Sequence, residues 1–180
     1  MWTGSIWSVI PLGAAIAIQL AASSPDLVRS LIVVAGFSRG AEPRLKLQFE
    51  LWLDLLRTNR DAFLRLLLIS GLTPAFVSSV GASTIEGMIQ RYMPLANWEG
   101  ITRQVELDLA VDVSRQASSI TNPTLVINCA HDQIVTQTPE FAASIPGSVC
   151  QQINAGHLAY FEGADEFLSL ATEFLRRHDA

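Results

Sequence analysis

Residues 123–162 read PTLVINCAHDQIVTQTPEFAASIPGSVCQQINAGHLAYFE, and this stretch decides the fold. Residues 124–130, TLVINCA, have strand character and follow Asn122-Pro123. Thr138-Pro139 predicts an N-cap followed by proline in the first turn of a helix running to about Ile145. A further strand spans 148–154. Strand, helix, strand in this order predicts parallel pairing through a crossover helix, and open α/β sheets place their sites in the loops at the C-terminal strand ends. Those loops are Cys129-Ala130-His131-Asp132 and Asn154-Ala155-Gly156-His157. An Asp and a His delivered from neighbouring strand ends can hydrogen-bond, the carboxylate fixing the imidazole tautomer so that the other ring nitrogen serves as a general base.

Outward from this stretch the same architecture continues. Residues 163–177 put Phe167, Leu170, Ala171, Phe174 and Leu175 on one helical face, with Asp165 and Glu166 at the start and Arg176 and Arg177 at the end, where each sign complements the helix dipole. Upstream, LGAAIAIQLAASS (12–24) predicts a helix that ends before Pro25, and SLIVVAG (30–36), a short continuous apolar and β-branched run bounded by Gly, predicts a parallel-sheet strand buried on both faces. Residues 41–110 change character. Leu45, Phe49, Trp52, Leu53 and Leu56 recur at helical spacing, residues 62–69 are strongly apolar, Ser83 and Glu86 make a capping-box pattern for a helix to about Tyr92, and another helix spans about 100–111. The expected fold class is therefore α/β, a parallel sheet formed by 1–40 and 111–180 with a helical insertion over 41–110.

Composition excludes several classes. Apolar residues make up 49% of the chain and charged residues 16%, which is incompatible with a disordered or low-complexity segment. A net charge of -5 without any basic run argues against a nucleic-acid partner. Cys129 and Cys150 have neither the density nor the spacing of a disulfide scaffold or zinc site, so no metal is expected. Residues 1–28 carry no Lys or Arg, and 6–22 are almost wholly apolar. The missing charged n-region and the helical pattern stopping at Pro25 argue against a signal peptide, and Pro11 argues against a membrane span. The expectation is a cytoplasmic protein.

A strand ending in a loop Asp, then about 25 residues later a strand ending in A-G-H-x-x-x-x-E, then a final amphipathic helix, resembles the C-terminal signature of the α/β-hydrolase superfamily. Here it runs from Pro123 through Asp132, His157 and Glu162 to Phe174. The segment LGAAIAIQLAASSPDLVRSLIVVAG resembles the family's helix after the nucleophile elbow and its next strand, and 41–110 would be the cap. The resemblance implies a partial α/β-hydrolase fold and a parent activity of cofactor-free hydrolysis of an ester, lactone or amide, with His157 as base and then acid and Asp132 orienting it. It also implies an apolar small-molecule substrate or ligand in the cap pocket.

The departures are as informative. The family's G-x-S-x-G aligns with Val9-Ile10-Pro11-Leu12-Gly13, placing at the nucleophile position a proline that has neither hydroxyl nor backbone N–H. Residues 1–8, MWTGSIWS, resemble nothing in the family, as in a truncated or frame-shifted gene product or a remodelled paralogue. A second G-x-S-x-G, Gly36-Phe37-Ser38-Arg39-Gly40, makes Ser38 the alternative nucleophile, although Ala-Glu-Pro-Arg follows it where an elbow helix continues with small residues. The expected consequence is no serine-hydrolase turnover. The rival expectation is a non-catalytic small-molecule binder, or a self-associating protein because a shortened sheet leaves an edge to cover. His131 is read as a solvated loop residue, Glu162 as setting the loop and helix after His157, and Cys129 as a buried thiol.

Overall fold

The computed structural model describes residues 5–8 and 11–178. Four parallel strands lie in the order β1 (Ser5–Ser8), β2 (Ser30–Val34), β3 (Thr124–Cys129) and β4 (Val149–Ile153). Sequence order and spatial order coincide, each connection crossing over through helices as parallel pairing demands. Helix α1 (Pro11–Ser23) links β1 to β2, opening with proline at its first position and ending ahead of the 3₁₀ turn Pro25–Leu27. Between β2 and β3 run α2 (Pro43–Thr58), α3 (Arg60–Gly71), α4 (Pro74–Val80), α5 (Ala82–Tyr92), α6 (Trp98–Ala110) and the short α7 (Ser114–Ala117). α8 (Thr138–Ala143) crosses from β3 to β4, and α9 (Ala159–Glu162) and α10 (Ala164–His178) close the chain.

Alternation along the strands divides the core. Leu31 and Val33 of β2 and Val126 of β3 face α1, α7 and α8, where Ala14, Ala17, Ile18 and Ala21 are buried. The small alanines let α1 approach the sheet closely. Ile32 and Val34 of β2 with Leu125 and Ile127 of β3 face the opposite way, onto Ala171 and Phe174 of α10. A third cluster belongs to the helices after β2: Leu45, Phe49, Trp52, Leu56, Phe63, Ile89 and Val105, reached by Phe37, Ile134 and Val135 from the strand-end loops. That junction seats the helical block over the C-terminal ends of the strands. Burying one such large side chain contributes about 1.5–3 kcal/mol.

Three local expectations are corrected. The sequence offers three strands, and Ser5–Ser8 adds a fourth, in register with β2 from Ser5 against Ser30 to Ser8 against Val33. Thr138 is not the N-cap of α8. It is fully buried inside the helix with its hydroxyl donating to the Gly36 carbonyl at 3.4 Å, and Gln137 takes the cap position. The Ser83/Glu86 capping box does not form, because α5 already begins at Ala82 and Glu86 instead accepts from Arg65 of α3 at 2.8 Å. Among the described residues no single helix is long and apolar enough to cross a membrane.

Candidate active site

Asp132 and His157 come from the loops after β3 and β4, adjacent strands whose backbones stay joined past the ladder: Ala130 N–H donates to Ile153 O and His131 N–H to Ala155 O. The paired loops bring His157 Nδ1 to 2.8 Å from Asp132 Oδ2, with 5% and 2% of the side-chain surfaces exposed. The other carboxylate oxygen, Oδ1, accepts the backbone N–H groups of Ile134 and Val135 at 2.8 and 2.9 Å. Asp132 therefore caps its own turn with one oxygen and holds the imidazole with the other. With Nδ1 facing a carboxylate, the proton of a neutral imidazole resides there, and Nε2 carries the lone pair a general base needs.

The loop carrying His157 is itself held. Glu162 of α9 accepts the Gly156 N–H at 2.8 Å and the Thr73 N–H at 3.0 Å, and also takes the Thr73 hydroxyl. Leu158 N–H donates to Gly71 O at 2.7 Å. These bonds tie the loop to the α3–α4 junction, and they require glycines: a Cβ on Gly156 would lie 2.6 Å from Gly71 O, and one on Gly71 would lie 2.8 Å from Leu158 Cγ. Sequence reading assigned Glu162 to setting this loop. It missed Gly71 and Thr73, since Thr73 and Glu162 are 89 residues apart and nothing local in either segment signals the pairing.

His131, adjacent to Asp132, is directed elsewhere: it is exposed, with Nε2 2.9 Å from Asn154 Oδ1. Cys129 is buried at the end of β3, where desolvation, aided by the negative charges of Asp132 and Glu162, pushes its thiol up to about 12, so it stays protonated and inert near neutrality.

Ser38 sits in a different setting. Its carbonyl accepts from Val113 N–H, and the neighbouring Gly40 lies so close to the end of α6 that a Cβ there would overlap the Asp108 carbonyl. An elbow serine occupies a strained turn. Among the described residues the one non-glycine with positive φ is Ala35, at 50°, not Ser38. Ser38 borders a cavity of about 340 Å³ with Phe37, Arg39, Glu42 and Gln137, whose lining includes neither Asp132 nor His157. Pro11, which the sequence reading aligned with the serine of the family motif, is the first residue of α1.

A larger cavity, about 390 Å³, opens between the helical block and the histidine loop. Leu64, Leu67, Leu68, Ile89, Leu158 and Phe161 give it a mainly apolar wall, and Leu158 follows His157 directly.

No family model matches the chain. The chain is 43% identical over 170 residues to pyrrolizixenacetamide deacetylase of Xenorhabdus hominickii, covering 93% of this chain and 64% of the relative. Among solved structures it superposes on the enol-lactonase of Burkholderia xenovorans LB400 with a TM-score of 0.79 at 23% identity, over 93% of this chain and 64% of that one. An alpha/beta hydrolase from a Medee basin deep-sea metagenome matches with a TM-score of 0.81 at 22% identity, over 91% and 62%. The chain has a partial α/β-hydrolase fold. It spans 64% of the length of the deacetylase it matches.

Proposed function

We propose that the chain carries the acid–base part of a hydrolase site for an ester, lactone or amide bond, and that it does not itself turn over substrate because Pro11 stands where the nucleophile belongs. The observation that carries the reading is the buried Asp132–His157 pair, with Nδ1 2.8 Å from the carboxylate. In the complete reaction a serine Oγ attacks the substrate carbonyl while His157 Nε2 takes the hydroxyl proton. The tetrahedral adduct collapses as Nε2 returns that proton to the departing alcohol or amine, leaving an acyl-serine. Water then attacks the acyl group, Nε2 removing its proton and delivering it to the serine as the acid departs. Asp132 keeps its charge throughout and stabilises the imidazolium. The named deacetylase and lactonase relatives, and the apolar cavity next to the histidine loop, support a small acyl or lactone substrate with an apolar portion.

The test uses the purified chain with an activated acetyl ester, an aryl acetamide and a fluorophosphonate label. The expected result is no turnover above that of His157→Ala and no covalent label. Labelling at Ser38 that disappears in His157→Ala would overturn it. The 390 Å³ apolar cavity favours one second reading, retention of small-molecule binding without catalysis. Saturable binding of an apolar fluorophore, lost when Leu68→Arg fills the cavity, would support that reading.

A further inference from the structure

We propose that the gene encodes the missing serine one base out of frame, so that the codons now read as Ser8-Val9-Ile10-Pro11 are those of a Gly-x-Ser elbow displaced by a single inserted base before Leu12. The inference rests on the hydrolase reading above for its choice of motif, and on the genetic code for everything else.

Structure sets the place to look. β1 (Ser5–Ser8) lies parallel beside β2, and α1 begins at Pro11. This is the strand-to-helix passage where a G-x-S-x-G elbow sits. The helix that follows, with Gly13, Ala14 and Ala15 early in its course and Ala14 and Ala17 fully buried, has the small residues of an elbow helix. The chain thus has an elbow's scaffold on both sides of a sequence that is not one.

Reading the same DNA one base earlier joins the last base of each codon to the first two of the next. Ser8 followed by Val9 then gives a glycine codon, GGT, if Ser8 is encoded TCG. Ile10 followed by Pro11 gives a serine codon, TCC, if Ile10 is encoded ATT. Val9 followed by Ile10 gives Tyr, His, Asn or Asp, whichever base ends the valine codon. Skipping the last base of the Pro11 codon restores the present frame at Leu12-Gly13, and the composite reads Gly-x-Ser-Leu-Gly. The other shifted frame cannot do this: any serine codon ahead of valine yields Leu, Pro, Gln, Arg, Val or Ala at that point, never Gly.

The residues further upstream were not used to choose the shift, and they agree with it. With Ser8 as TCG, Trp7 and Ser8 give Val without alternative. Ile6 and Trp7 give Leu or Met whichever isoleucine codon is present. Gly4 and Ser5 give Phe, Leu, Ile or Val when Ser5 has a TCN codon, while Ser5 and Ile6 give a polar or aromatic residue between them. The displaced frame therefore runs apolar, polar, apolar, Val and then Gly-x-Ser, a strand leading into the elbow. With a TCN codon at Ser5 it is open back through Met1, where Met1-Trp2 gives Val and Trp2-Thr3 gives Asp, whereas GGT at Gly4 before AGT or AGC at Ser5 would close it.

Two codons decide the matter. Sequencing the gene from an independent DNA preparation is expected to show TCG at Ser8 and ATT at Ile10. Any other serine codon at Ser8, or any other isoleucine codon at Ile10, overturns the proposal, because Gly or Ser then disappears from the displaced frame. A second measurement separates this from the hydrolase reading. The gene is expressed from an upstream start in the displaced frame, with one base removed ahead of Leu12, and the product is exposed to the fluorophosphonate. Labelling at the new serine, at least ten-fold above the same protein with His157→Ala, is the expected result. If the codons fit and the restored protein remains unlabelled, the frame relation stands and the hydrolase reading falls. A stop codon in the displaced frame between Met1 and Ser8 overturns the frame proposal itself.

Discussion

Replacing Asp132 in two ways separates its two jobs. The carboxylate serves three buried donors: Ile134 N–H, Val135 N–H and the His157 ring nitrogen. Asp132→Ala strands all three. At about 1–2 kcal/mol for each buried donor left without a partner, the loss is about 3–6 kcal/mol, a large share of the stability of a domain this size. Asp132→Asn keeps an oxygen for the two backbone groups. It can present its amide N–H to the imidazole only if His157 moves its proton to Nε2, so its cost should be about 1–2 kcal/mol. Urea unfolding followed by tryptophan fluorescence measures both. With a slope near 2 kcal/mol per molar, Asp132→Ala should shift the midpoint down by roughly 2 M and Asp132→Asn by roughly 0.5–1 M. Equal midpoints for the two variants would refute the division of labour. An Asp132→Ala midpoint within experimental error of the parent would refute the bonding itself.

Gly156→Ala should cost about 1–3 kcal/mol, since its Cβ would press to 2.6 Å on the Gly71 carbonyl and backbone must move on one side or the other; the same unfolding assay reads it, and an unchanged midpoint contradicts the close approach. Asp108 is buried in α6 with its Oδ1 lacking a partner among the described residues, and burial pushes its carboxyl up to about 7. The folded protein therefore retains a proton that the unfolded chain releases above pH 3.8, so stability contributed at low pH drains away between about pH 4 and pH 7. Asp108→Asn removes this dependence: it should match the parent near pH 4 and exceed it above pH 7 by at most about 4 kcal/mol, and parallel stability profiles over that range would refute the assignment.

Much of this arrangement was legible in the sequence, for identifiable reasons. β2 and β3 are buried along almost their whole length, so each carries a run of three or four apolar side chains, Leu31–Val34 and Leu125–Ile127, that announces it. β4 is an edge strand with mostly exposed side chains, and it was found from its place after a helix and before Ala155-Gly156-His157 rather than from hydrophobicity. Asp132 and His157 were legible because each closes a strand in a loop rich in small residues. β1 was not, because Ser5–Ser8 has no apolar run and is recognisable as a strand only by its register against β2. Local capping rules failed at Thr138 and Ser83 where tertiary partners intervened: the Thr138 hydroxyl is taken by Gly36 from the adjacent crossover, and Glu86 is drawn to Arg65. Both outcomes are tertiary contacts overriding a local preference. Gly71 and Thr73, the half of the clamp that meets Gly156 and Glu162 from the helical block, lie beyond any local pattern for the same reason, yet they help fix the loop that aims the imidazole.

The central claim is that this chain holds His157 as a hydrolase would hold its base, and nitrogen-15 NMR of the imidazole tests it most directly. With the His157 signal identified by its loss in His157→Gln, and at a pH where the ring is neutral, the account predicts the proton on Nδ1, an unprotonated Nε2, and reversal of that preference in Asp132→Asn. A neutral ring protonated on Nε2 in the parent protein, unchanged by Asp132→Asn, would contradict it.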